Sequence, residues 1–427
     1  MATPIHFSRR TLLSLAGLGA GAVALGACGD SGSDSAGIEW WHIQNTDPML
    51  PVWAAFAEEF QAQNEGVGIT ITPLENEAFK ARLTTVTQAG DPPDIYHTWG
   101  GGVLRQQVEA GLCQDITDAV APWRDILQPA STLPYEIDGR LFGVPFDIGM
   151  VGFWYNKALF ADAGITAPPQ TWAEYLDVVG RLKSAGITPI ALAGGEKWPG
   201  HYYWAYLAMR IGGVEALSQA GEDNNFTTSA FIGAGERLAE LVALEPFQEG
   251  FLGASYGEPD GQAAAMGNGD AAMELMGQWA PAVQEEASGV EGGIGTDLGF
   301  FPFPVVDGGQ GSASDAFGGG GGFAIGRDAS PDAIRFLEFI SQVDKQRRAA
   351  ATGAFLPVTI GAEAAIEDPN LAAVAETLAD ASNFQLYLDQ AYAPAVGQEV
   401  NDRVAELIAG QMTPEQVAEA VTVVAQR

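Results

Sequence analysis

Residues 143–160 read GVPFDIGMVGFWYNKALF, and the fold of the whole chain turns on this stretch. It begins as an apolar run with Pro145 and glycines set into it. It passes into β-rich aromatic sequence at Val151, Phe153, Trp154 and Tyr155, and ends at Asn156-Lys157, where a helix can start. One polar group, Asp147, sits inside the apolar run. A lone carboxylate in such surroundings is costly unless it is hydrogen-bonded. Asp147 therefore either has internal donors or faces a cleft.

Upstream of this stretch, the alternation points to an α/β domain. Strand-like 38–43 is followed by the polar loop Gln44-Asn45-Thr46-Asp47-Pro48. Val52, Trp53, Phe56 and Phe60 then recur at helical spacing, 66–72 (GVGITIT) returns as a strand, and Phe79, Leu83 and Val86 mark a second helix before a short strand at 94–96. Short β-α-β-α-β connections imply a parallel sheet. Ligands of such sheets bind beyond the carboxyl ends of the strands, which places Gln44, Asn45 and Asp47 on one rim with Thr98 and Trp99. Downstream, Thr171-x-x-Glu174 is a capping box that opens a helix, 271–276 is a strand, and Thr413-Pro414-Glu415-Gln416 opens the last helix. Pro-marked extended segments at 144–146 and 301–304 are the expected crossings between two lobes, which places a hinge between discontinuous domains. The expected division is 38–147 with 307–361 for the N-terminal lobe and 148–306 with 362–427 for the C-terminal lobe.

At 427 residues the chain exceeds one ordinary core, and with 47% hydrophobic and 17% charged residues it is too apolar for disorder. Residues 1–27 form an expected signal peptide, with Arg9-Arg10 before an apolar run. That run is too short and too rich in Gly and Ala for a comfortable membrane span. It ends at Leu25-Gly26-Ala27-Cys28, which resembles a lipobox, and 28–37 is a Gly/Ser tether. Lipidation at Cys28 would place the protein outside the cytoplasm, anchored to the outer face of the cell membrane. Losing Arg9 and Arg10 from 20 basic residues leaves 18 against 54 acidic ones, a net charge of −36. Such a surface repels nucleic acid and disfavours anionic ligands. With Cys28 assigned to lipid, Cys113 has no partner for a disulfide and reads as a small core residue.

Gly253-Ala254-Ser255-Tyr256-Gly257 has the form of a hydrolase nucleophile elbow but lacks the strand before and the helix directly after it. His42, His97 and His201 lie far apart without metal-like spacing, and no metal or cofactor is expected. The run Gly318 to Gly322 matches neither the dinucleotide fingerprint nor the P-loop, and instead implies a backbone that approaches something closely. Aromatic residues at predicted strand ends are the strongest functional signal. Trp99, Trp198, Tyr202 and Trp279 sit beside Gly or Pro and polar neighbours, with His201 among them, and suit a cleft that sandwiches sugar rings.

Trp154-Tyr155-Asn156-Lys157, residues 168–194 (PPQTWAEYLDVVGRLKSAGITPIALAG), 269–281 (GDAAMELMGQWAP) and 409–420 (AGQMTPEQVAEA) resemble the family 1 extracellular solute-binding proteins of carbohydrate ABC importers. The sequence 197–204 (KWPGHYYW) is similar to actinobacterial lipoproteins that bind xylobiose or related oligosaccharides. The resemblance implies a monomeric, two-lobed periplasmic-binding-protein-like fold that is not an enzyme. It implies capture of a neutral di- or oligosaccharide, xylobiose-like, for the transmembrane subunits of an ABC permease. Trp279 would be the stacking platform, Tyr202 a second aromatic, and Asp147 a polar contact. The reading from a different class is a secreted glycosidase that acts on short oligosaccharides with a carboxylate pair.

Overall fold

The computed structural model describes residues 37–427. The expected signal peptide, Cys28 and the tether up to residue 36 lie outside the described residues. Strands β1 (Ile38–His42), β2 (Ile69–Pro73) and β3 (Ile95–Thr98) run parallel in the order β2-β1-β3, joined by helices Met49–Gln63 and Asn76–Ala89. This is the β-α-β-α-β unit expected from the sequence. A hairpin of β4 (Glu136–Ile137) and β5 (Arg140–Leu141) leads to β6 (Gly143–Pro145), β7 (Gly149–Met150) and β8 (Gly152–Asn156). Then come β9 (Thr188–Ile190), β10 (Ala271–Met276), β11 (Leu298–Phe301), β12 (Asp315–Gly319), β13 (Gly322–Ile325) and β14 (Asn383–Leu386).

The strands form a five-stranded sheet, β2-β1-β3-β13-β6, a four-stranded sheet, β11-β8-β10-β9, and a three-stranded sheet, β14-β12-β7. The first is mixed, because β13 returns antiparallel to β3 and β6. Its core is a lattice of rings, with Trp40 and Trp53 edge-on at 5.1 Å and both packed against Phe323. The second core surrounds the helix Trp198–Gly212, thirteen of whose fifteen residues are buried. A helix apolar on all sides belongs in the middle of a domain. Its one buried charge, Arg210, donates to the carbonyl oxygens of Phe303, Ser312 and Asp315 at 2.6–3.0 Å.

Those contacts move one expected crossing. The segment 301–304 is extended, but Phe303 stacks on Tyr206 at 4.5 Å inside the second core. Ala316 and Phe317 lie there too, so 307–319 packs with the second core and not with the first. The chain returns at Gly320–Gly321, between β12 and β13. At the other expected crossing, Phe146 is in the first core and Met150 in the second. The two crossings touch. A Cβ on Gly320 would lie 1.9 Å from the Asp147 carbonyl oxygen, so the glycine run exists because two backbones meet there. A third segment joins them, as the Ile148 N–H donates to the Leu356 carbonyl at 3.1 Å. Both expected capping boxes are formed, at Thr171 and Thr413.

Candidate functional site

A cavity of about 500 Å³ opens where the two cores face each other across these crossings. Gln44, Asn45, Asp47, Trp99, Asp147, Trp198, Tyr202 and Trp279 line it, which joins eight of the residues expected from the sequence. Thr98 and His201 do not line it, each for a geometric reason. Side chains alternate along a strand, so His97 and Trp99 face the cavity while the Thr98 hydroxyl turns away to accept the Gly100 N–H at 3.1 Å. Residues 198–204 are helix and not loop, with Pro199 in the first turn. One helical turn separates Trp198 from Tyr202 and puts both on the cavity face, whereas His201 points into the core, fully buried. Burial also lowers the His201 pKa, the largest of several influences on it.

The second-core wall is aromatic. Tyr202 and Tyr387 stack at 5.6 Å, Trp198 stands edge-on to Tyr202 and to Tyr256, and half-buried Trp279 stands edge-on to Tyr387 at 6.4 Å. A Cβ on Gly277 would come within 2.1 Å of the Trp279 ring. The bare backbone at Gly277 thus makes room for the indole itself and not for a ligand's approach.

Asp147 resolves the open alternative in both directions. Its Oδ1 accepts the Gly321 N–H, its Oδ2 accepts Gln278 Nε2–H at 3.1 Å, and it also lines the cavity. Burial pushes its pKa up to about 7 against those two donors. Glu196 is similarly committed. Its two oxygens accept the Trp198 indole N–H at 2.7 Å and the Tyr256 N–H at 2.6 Å. Burial raises its pKa, and the Glu75 and Glu77 charges add to the shift.

Sequence reasoning missed Glu75, Glu77, Lys80 and His97 on one wall and Tyr387, Asp389 and Gln390 on the other. The first group was reachable: Glu75 and Glu77 follow β2 as Gln44 follows β1, and strand alternation selects His97. Nothing in the local pattern marked 387–390. Several polar atoms of lining residues have no protein hydrogen-bond partner: Gln44 Oε1, both ring nitrogens of His97, Gln278 Oε1, Tyr387 Oη and Gln390 Oε1. Eight carboxylates line the cavity against one ammonium, Lys80, which lies 3.0 Å from Glu77 and 4.0 Å from Asp389. Among the described residues no group of three or more His, Cys, Asp or Glu is placed to hold a metal, and no helix is long and apolar enough to cross a membrane.

A family model for bacterial extracellular solute-binding proteins matches residues 44–347. The chain is 26% identical to an uncharacterized ABC transporter extracellular-binding protein of Pyrococcus horikoshii, over 64% of this chain and 65% of that one. It is 26% identical to the multiple sugar-binding protein of Streptococcus mutans, over 70% of each chain. The match therefore spans just under two thirds of the first relative's length and slightly more of the second's. Among solved structures, a chitin oligosaccharide binding protein superposes with a TM-score of 0.83 at 26% identity, covering 92% of this chain and 98% of that one. A chain described under xylan utilization by the thermophilic bacterium Caldanaerobius polysaccharolyticus gives 0.82 at 26% identity, covering 90% and 99%.

Proposed function

The chain belongs to the bacterial extracellular solute-binding protein family, and from that premise we propose that it closes on a neutral di- or oligosaccharide and hands it to the transmembrane subunits of an ABC importer. One observation carries this reading. The cavity pairs an aromatic wall with polar atoms that no protein group satisfies. Aromatic faces bury the apolar side of a sugar ring, and unpartnered donors and acceptors take its hydroxyls. The carboxylate excess argues against phosphorylated or acidic sugars, since a second negative charge would enter a field already negative. A xylobiose-like ligand is favoured by the similarity to the chain described under xylan utilization. Glycosidase chemistry is disfavoured because Glu196 and Asp147, the lining carboxylates with raised pKa values, have their oxygens committed to protein donors.

In this reading 38–147 and 321–361 move as one lobe against the rest, with the crossings as the hinge. The protein works as a monomer, anchored outside the cell through Cys28; retention of a Cys28→Ser variant on salt-washed membranes would remove the anchor. The central test is a thermal-shift panel of xylobiose, N,N′-diacetylchitobiose and a sugar phosphate. A ligand present at one hundred times its Kd adds about 2.7 kcal/mol, so a neutral disaccharide should raise Tm clearly while the phosphate leaves it unmoved. No shift with any neutral sugar, or a shift with the phosphate alone, defeats the proposal.

A further inference from the structure

We propose that His97 is a specificity-determining contact of the cleft: a neutral imidazole that exchanges a hydrogen bond with a hydroxyl of the bound solute. The inference rests on the sugar-binding reading and deepens it. His97 is 2% exposed and lines the cavity near the carboxyl end of β3, on the same strand face as Trp99. Neither ring nitrogen has a protein partner. Three aromatic rings hold the imidazole edge-on: Trp99 at 4.6 Å, Phe79 at 5.9 Å and Phe323 at 6.1 Å. On a further side Gly321 is close enough that a Cβ there would lie 2.6 Å from His97 Cε1. Packed in this way the ring finds no protein partner for either nitrogen, and it borders the cavity a solute would fill. A half-turn about the ring's own axis exchanges nitrogen and carbon positions without disturbing that packing.

Burial, with the nearby His42 adding to it, lowers the His97 pKa to about 3, so the ring is neutral at physiological pH. A neutral imidazole offers one donor and one acceptor, the same pair that a sugar hydroxyl offers in reverse. A cationic ring would offer donors only and would suit an anion instead. The other two described histidines provide the contrast. His42 and His201 are also buried, packed among rings and without a protein partner for either ring nitrogen, but neither lines the cavity, and that placement is what sets His97 apart.

The test measures affinity for xylobiose and for N,N′-diacetylchitobiose by calorimetry in full-length wild type, His97→Leu, His97→Gln and the control His42→Leu. Each variant is also unfolded without sugar. Removing both nitrogens from His97 should weaken binding tenfold or more, while the apo midpoint holds or rises, because no protein hydrogen bond is lost. His97→Gln, which keeps a donor and an acceptor, should recover part of the loss, and His42→Leu should bind as wild type does. Histidine ¹⁵N spectra of the wild type should show the His97 ring nitrogens moving on sugar addition, a readout that needs no variant to fold. Wild-type binding with His97→Leu within twofold, or unmoved His97 resonances, overturns this inference alone. A wild type that binds neither sugar defeats the sugar reading and this inference with it.

Discussion

The wall contributed by the first core presents Gln44, Asn45, Glu77 and His97 at strand ends and a helix start, whereas the wall contributed by the second presents Trp198, Tyr202, Trp279 and Tyr387. The difference follows from how each core is built. In the first, Trp40 of the sheet packs on Trp53 and Phe336 of the helices that cover it, and the loops after β1 and β2 are left largely polar. In the second, a helix with thirteen of its fifteen residues buried starts at the cavity, so its first aromatic residues, Trp198 and Tyr202, line it. Aromatic contact area therefore concentrates on the second wall, while unpartnered polar atoms lie on both: Gln44 and His97 on the first, Gln278, Tyr387 and Gln390 on the second. In the proposed reading, a solute stacks on the second wall before the first closes over it.

The largest expected effect separates the crossing from the second core. Asp147 and Glu274 both have pKa values raised by burial to about 7, from ordinary values of 3.8 and 4.5. Between about pH 4 and pH 7 the folded protein thus holds protons that the unfolded chain has released. Their stabilising contribution is full below pH 4 and is lost as pH rises through 7, a change on the order of a few kcal/mol. Glu274 lies in β10, accepts from Gln262 and Gln284, and does not line the cavity. Glu274→Gln should flatten the pH dependence of denaturant unfolding relative to wild type and leave sugar affinity alone. Asp147→Asn should flatten it too, but should also weaken binding, because Asp147 holds Gln278. Equal unfolding slopes in all three proteins would show that neither carboxyl is held protonated.

Next in size is the aromatic wall itself. Trp279 is half-buried, its ring folded over Gly277 and edge-on to Tyr387. Truncation to alanine removes a large apolar face from the cavity and should cost binding about 2 kcal/mol, roughly thirtyfold in Kd. A buried core tryptophan would instead cost the fold about 3–5 kcal/mol. Calorimetry paired with apo unfolding distinguishes the two, and a heavy loss of apo stability would assign Trp279 to the core.

How much of this was legible in the sequence depended on whether the signal was local. The three parallel strands and both capping boxes follow from spacing and residue type within short windows. The return crossing did not, because what retains 301–319 is Arg210, a residue about a hundred positions away whose guanidinium collects carbonyls from that segment. Trp198 and Tyr202 were found as aromatics, but the helix that carries them was not. Its burial on every side erases the amphipathic period that marks a helix. Tyr387 is brought to the site by the pairing of β12 with β14, a contact of long sequence separation that no local pattern announces.

The smallest effect is expected on the polar wall, and it is the one that tests the division most sharply. Gln44 lies two residues beyond the end of β1, lines the cavity, and leaves its Oε1 without a protein partner. An acceptor in that position gains a hydrogen bond only when a solute hydroxyl arrives. One such neutral bond contributes about 1 kcal/mol net, so Gln44→Ala should weaken xylobiose binding roughly fivefold. The fold should not notice, since the side chain is half-exposed and its acceptor bonds to nothing in the protein. The two walls should also differ in how the loss appears. In the proposed reading, truncating the stacking face removes contact that forms on first encounter, whereas truncating Gln44 removes contact that forms on closure. Gln44→Ala should therefore act through the dissociation rate alone, with association unchanged in stopped-flow tryptophan fluorescence. An association rate that falls with affinity would place Gln44 in the first encounter, and the assignment of stacking to one wall and closure to the other would fail.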